Sequence, residues 1–112
     1  IIFLILKKEI FYIKIVKNIG FEEDGKGDYF IRPIIVLKKF NKYIFWGISL
    51  TSSNLDNKNN VFYFKFYIND IENCAIISQL RLFDSKRLLN KIGVISNNNF
   101  KLIKQKINQI IG

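Results

Sequence analysis

Histidine and methionine are missing from this chain of 112 residues, and cysteine, proline and tryptophan occur once each. Without histidine there is no side chain whose ordinary pKa lies near neutrality, so acid–base chemistry must fall to other groups. One thiol and no imidazole leave too few ligands for a zinc site, and no cofactor is expected. Cys74 alone cannot close an internal disulfide, which suits a reducing cytoplasm. Set in Cys74-Ala75-Ile76-Ile77, it reads as a small buried hydrophobe. Long apolar runs are lacking as well. The opening Ile1-Ile2-Phe3-Leu4-Ile5-Leu6 is far shorter than the roughly 20 residues that span a bilayer. It has neither a basic region before it nor a small-residue cleavage site after it, so it does not read as a secretory signal. The expected organisation is a single domain, 1–112, with residues 1–7 as an upstream extension or a lengthening of the first strand.

Acidic residues are scarce too. Nine Asp and Glu stand against eighteen Lys and Arg, a formal net charge of +9. A small domain this basic is suited to a polyanion or an acidic protein segment, with a generally solvated surface as the plainer alternative. What the chain has in plenty is apolar and aromatic side chains, 49% and 15% of its residues, which argues for a packed β-rich domain.

The alternation in Ile10-Phe11-Tyr12-Ile13-Lys14-Ile15-Val16 predicts a strand over 9–16. Asn18-Ile19-Gly20 breaks it, and Glu22 to Asp28 forms a polar, glycine-punctuated loop. A second strand runs from Tyr29 to Phe40, with Pro33 expected at its start, an edge or a bulge because it cannot donate to a ladder. Asn41-Lys42 turns the chain into a third strand, Tyr43 to Leu50, and Thr51 to Asn60 is a loop. Val61 to Ile68 alternates again, Asn69-Asp70 is a turn, and Cys74 to Phe83 is a strand. Asp84 or Ser85 is expected to cap a short helix over Lys86-Arg87-Leu88-Leu89, with Arg87 paired to Asp84. After a short strand from Ile92 to Ile95, Asn97 or Asn98 should cap a closing helix with Phe100, Ile103, Ile107, Ile110 and Ile111 on one face. Trp46 and the phenylalanines read as core first and base-stacking platforms second. Together these elements predict a mainly β (α+β) fold, a compact, strongly bent antiparallel sheet or small barrel with a short helix and a C-terminal amphipathic helix.

Several short motifs follow one another in a fixed order. Gly20-Phe21-Glu22 and Gly25-Lys26-Gly27 lead to Arg32-Pro33-Ile34-Ile35-Val36-Leu37, and the next strand ends in Leu50-Thr51-Ser52. Later come Gln79-Leu80-Arg81, Asp84-Ser85-Lys86-Arg87-Leu88 and Ile92-Gly93. Each is weak alone, but the ordered set resembles the MazF/PemK family of toxin endoribonucleases from about Lys8 to the C-terminus. The resemblance implies an SH3-like barrel, a homodimer in the cytoplasm, single-stranded RNA in a groove, and an antitoxin with an acidic tail. It implies cleavage without a metal, in which Arg32 clamps the phosphoryl oxygens, Thr51 bonds the phosphate and orients the ribose 2′-OH, and Glu22 accepts a proton. Phe21, Lys26, Ser52, Ser78, Gln79 and Arg81 are the RNA-binding candidates on the same basis. The chain departs from some relatives, which carry a histidine where Phe21 stands and an acidic residue where Ser78 stands.

Each of these residues also has a plain structural role open to it. An arginine before proline can merely cap a sheet edge, Thr51-Ser52 can be a turn, and Glu22-Glu23-Asp24 can be a solvated loop. Gln79 and Arg81 can hold strand and helix together. A rival from another class is a CcdB-like toxin that binds DNA gyrase and cuts nothing. A third is a decayed or truncated toxin. The CcdB-like rival does not need the Arg-Pro and Thr-Ser pairing.

Overall fold

Alternating side chains set the first strand, β1 (Glu9–Val16), with Ile10 on one side and Phe11 and Ile13 on the other, all sealed from solvent. The computed structural model describes residues 5–16, 29–51 and 62–112. Within them β1 is followed by β2 (Tyr29–Lys39), β3 (Ile44–Thr51), β4 (Tyr63–Ile68), β5 (Ile71–Asp84), a 3-10 turn (Ser85–Arg87), β6 (Leu88–Val94) and α1 (Asn97–Ile111). The strands form one antiparallel sheet in the order β4-β5-β3-β2-β1-β6. The mainly β fold with a C-terminal helix is therefore as expected.

The sheet is bent but not closed. Its two edges, β4 and β6, come near each other at Ile68 and Gly93, where a Cβ on the glycine would lie 3.7 Å from the Ile68 Cγ2, yet no ladder joins them among the described residues. Bending lets each face bury its own apolar cluster. Ile10, Ile35, Ile48, Leu50, Phe66, Ala75 and Ile77 pack with Phe100 and Ile103 of α1. On the other face Phe11, Ile13, Ile34, Val36, Phe45, Phe83 and Leu88 enclose Ile5. Burying such side chains stabilises the fold by about 1.5–3 kcal/mol each. Gly47 lets the second cluster close, since a Cβ there would stand 3.0 Å from both the Ile35 carbonyl and the Phe83 ring.

The longest strand, β5, changes partners partway. Leu50 faces Ala75 while Ile48 faces Leu80, so one residue of β3, Ser49, spans what Ile76 to Gln79 span on β5. The early part of β5 pairs with β4 through a hairpin whose turn residues, Asn69 and Asp70, have φ of 50° and 66°. Asparagine and aspartate are the non-glycine residues that tolerate that region best, and such turns match the twist of the strands.

Local capping differs from expectation in two places. The helix expected over 86–89 is only the turn Ser85–Arg87, because Leu88 is drawn into the core as the first residue of β6. Asp84 caps that turn by accepting from the Lys86 amide at 2.9 Å rather than pairing with Arg87. The turn is tied back to the β2–β3 connection, as the Ser85 amide donates to the Tyr43 carbonyl at 2.7 Å and its hydroxyl to the Lys42 carbonyl at 2.8 Å. Ser96, not Asn97 or Asn98, caps α1, its extended backbone placing Oγ 3.1 Å from the Asn99 amide. Along the helix Phe100 and Ile103 are buried, whereas Ile110 and Ile111 are exposed. Trp46 is not core either; it is exposed and meets Phe40 edge to face at 5.1 Å. Cys74 is sealed, as expected.

Candidate active site

Arg32 stands on β2 two residues before the buried Ile34 and on the same face of the sheet. Pro33 follows it not at a strand end but within β2, paired to Tyr12 of β1, while the ladder to β3 starts only at Ile34. In that ladder Ile34 faces Ser49 and Ile35 faces Ile48; two residues beyond, the same register sets Arg32 opposite Thr51. Thr51 is the last residue of β3, half-buried, and is held on its other side opposite Cys74. The two residues assigned to phosphate chemistry thus belong to neighbouring strands and to one face.

A third residue comes from β5. The slip between Ile76 and Gln79 pushes Ser78 and Gln79 out of the ladder with β3, and both are exposed. Gln79 Oε1 accepts from Arg32 Nη1 at 3.3 Å across 47 positions of sequence. The guanidinium carbon also lies 5.1 Å from the centre of the Phe30 ring. Held by a side-chain carbonyl and an aromatic face, the arginine keeps donors free for an anion, because a guanidinium has five and one is used here.

Arg81 faces Gly47 across β3, four positions of β3 away from Thr51, or about 13 Å at roughly 3.3 Å per residue. Its guanidinium lies 5.0 Å from the Phe83 ring, and with Lys14, Asp84 and Arg87 it lines a cleft of about 310 Å3. The ion pair seen among the described residues, Lys91 with Glu9 at 2.7 Å, is elsewhere; none of Arg32, Arg81, Lys14 or Arg87 has a carboxylate within 4.0 Å there. Arg32 and Arg81, on one face and without an ion pair among the described residues, favour a phosphate-bearing chain.

The candidates therefore divide. Arg32 and Gln79 are in contact, Thr51 is brought to the same face by register, Ser78 is beside Gln79, and Arg81 lies further along. Glu22, Phe21, Lys26 and Ser52 lie outside the described residues. Sequence reasoning missed Phe30, though its place two residues before Arg32 on a strand could have been read as the same face. It also missed Lys14 and Arg87, which no spacing links to Arg81.

A bent antiparallel sheet packed against a C-terminal helix, with Arg32 and Gln79 in contact and Thr51 on the same face, makes a small basic α+β domain. Residues 7–111 match the family of PemK-like, MazF-like toxins of type II toxin–antitoxin systems, and the chain belongs to that family. A search of curated proteins gives no match. A type II toxin implies an antitoxin as partner. No helix among the described residues is long and apolar enough to cross a membrane.

Proposed function

We propose that this chain, a single domain over 1–112, is an endoribonuclease that cuts single-stranded RNA in the cytoplasm without a metal ion. The observation that carries the reading is the Arg32–Gln79 hydrogen bond at 3.3 Å, with Thr51 set opposite Arg32 by register. In the reaction the 2′-hydroxyl of one ribose attacks the adjacent phosphorus. The P–O5′ bond breaks, leaving a 2′,3′-cyclic phosphate on one fragment and a 5′-hydroxyl on the other. The hydroxyl proton goes to a base and the leaving oxygen receives one, so protons balance. Arg32 holds the non-bridging oxygens in a planar fork as charge builds on the phosphorane. Thr51 donates to the same phosphate and orients the 2′-hydroxyl, and Gln79 fixes the angle of the arginine. Glu22 accepts the proton, and Phe21, Lys26, Ser52, Ser78 and Arg81 contact the RNA. The active form is a homodimer, and the acidic tail of the antitoxin competes for the basic groove.

The absence of histidine from the sequence, with only one cysteine, motivates the test. Purified protein should cleave single-stranded RNA at an unchanged rate in excess EDTA. Loss of cleavage under chelation, restored by magnesium, would count against the mechanism.

A further inference from the structure

The ladder between β1 and β6 ends at Ile13 and Leu88, which leaves Lys14 and Ile15 as an edge beyond it. The end of β5 and the turn Ser85–Arg87 come up against that edge, and between them lies the cleft of about 310 Å3. Ile15 and Phe83 give it apolar walls, and Lys14, Arg81, Asp84 and Arg87 give it charge. Opposite charges line this cleft without pairing. No lysine or arginine nitrogen stands within 4.0 Å of the Asp84 carboxylate among the described residues. One Asp84 oxygen accepts from the Lys86 amide at 2.9 Å, and the other accepts from no described group. Two of the cations rest on rings instead, Arg81 at 5.0 Å from the centre of Phe83 and Lys14 at 4.1 Å from that of Tyr29. Arg87 is exposed and makes no ion pair there.

We propose that this cleft reads a guanine base close to the cleaved bond, with Asp84 and Arg87 as the residues that determine specificity. The inference rests on the reading that RNA runs along this face. A ligand that fits between an unpaired carboxylate and an unpaired guanidinium must carry donors and acceptors side by side. A bare phosphate does not, since Asp84 would repel it. Among the four bases guanine alone sets two adjacent donors on one edge, N1–H and the 2-amino group, beside the acceptors O6 and N7. A carboxylate has about four acceptor sites, so Asp84 can keep the Lys86 amide and still take both donors. Arg87 offers a planar fork to O6 and N7, the commonest specific pairing of arginine with a base. Arg81, seated on Phe83, is left for the phosphate of the same nucleotide. Adenine and cytosine bring one amino donor each and uracil one ring N–H, so each leaves the carboxylate partly unmatched. Arg81 shares the face of Arg32 and lies about 13 Å from Thr51 at roughly 3.3 Å per residue. That is too far to share the cleaved phosphate, and it suits a neighbouring nucleotide.

The test uses non-cleavable 2′-O-methyl heptamers of uridine, each with its central base exchanged, in a binding titration of the full chain. The guanine heptamer should bind at least about tenfold more tightly than the adenine, cytosine or all-uridine ones. Inosine, which lacks the 2-amino group, should cost about threefold or more, and 7-deazaguanine, which lacks N7, about as much. Asp84→Asn keeps an oxygen for the Lys86 amide and replaces the other with an amino group. Its circular dichroism should match the parent, while its guanine–inosine difference should shrink to within about twofold. Arg87→Ala, at an exposed position, should lose the 7-deazaguanine difference and keep the inosine one. Equal affinities across the heptamers, or an unaltered guanine–inosine ratio in Asp84→Asn, would overturn the inference and leave the nuclease reading standing. Binding of guanosine monophosphate without any preference among the heptamers would also overturn it, and would give the cleft to a free nucleotide. A guanine preference in a protein that cuts no RNA would sustain the inference and sink the nuclease reading alone. Failure to bind any heptamer would overturn both.

Discussion

The two faces of the central strands are built from the same backbone and end differently. On the face that carries α1, Ile35, Ile48, Leu50 and Ile77 continue one apolar layer under the helix. On the other, Ile34, Val36 and Phe45 are just as tightly sealed, but the next residues outward are Arg32, Thr51 and Gln79. A strand gives its two faces independent sequences, so one can run to completion as core while the other switches to chemistry within a single step of two residues. The sealed pairs Ile34–Ser49 and Ile35–Ile48 fix the distance between the polar ends, which is what the proposed reaction requires of two isolated side chains.

That contrast breaks most visibly in the polar end itself. Arg32→Lys keeps the charge and loses the planar fork, and Thr51→Val keeps the β-branched shape and loses the hydroxyl. Both variants should fold, as circular dichroism will show, yet cut RNA at least ~100-fold more slowly, the scale of one lost transition-state donor. Thr51→Ser should keep most of the activity. Near-parental cleavage by both Arg32→Ala and Thr51→Val would place the active site elsewhere.

The sealed part should answer in stability instead. Gly47→Ala forces a Cβ against the Ile35 carbonyl and the Phe83 ring at 3.0 Å each, and should cost about 1–3 kcal/mol in urea unfolding with an unchanged slope. Gly93→Ala, whose nearest neighbour would be 3.7 Å away, should stay within about 0.5 kcal/mol of the parent. Equal effects at the two glycines would mean that the second core cluster is looser than its packing suggests.

Gln79→Ala sits between the two cases. It removes an exposed hydrogen bond worth at most about 1 kcal/mol, so cleavage should fall no more than about fivefold, with stability unchanged. A positioning role for Gln79 predicts that its loss adds little to Arg32→Lys, and full additivity in the double variant would argue otherwise. The smallest effect concerns salt. Binding of non-cleavable RNA should weaken with a log–log slope of about −0.7 per phosphate contact, and Arg81→Ala should flatten that slope by about one contact. A flat response in the parent would favour a protein target over RNA.

Much of the fold was legible because its signals are local. The alternation around Ile10 to Val16 marks β1, and Asn69-Asp70 marks the turn between β4 and β5 by the same chemistry that lets those two residues adopt positive φ. What was hidden depends on residues distant in the chain. Ser96, Asn97 and Asn98 are all able caps, and the choice fell to the residue that leaves β6 with an extended backbone. Leu88 reads as helical beside Arg87 until Phe11 and Ile13 are known to lie opposite. The site was half legible for the same reason. Arg32 and Thr51 carry recognisable neighbours, but the bond from Arg32 to Gln79 depends on a slip between β3 and β5 that no motif encodes.

The placing of β1 between β2 and β6 sets an order in time. Its register joins Glu9 to Val94, and Lys91 completes the pair with the buried Glu9 carboxylate. A ribosome adding about 5–20 residues per second delivers that strand roughly 4–17 s after β1 has emerged. Until then β1 has β2 on one flank and an open edge on the other, with Glu9 lacking its lysine, although Arg32, Thr51 and Gln79 have all been synthesised. Residues of the candidate site thus exist on the nascent chain before the sheet that aligns them does, and it is the arrival of β6, rather than synthesis of the site, that completes the frame around them.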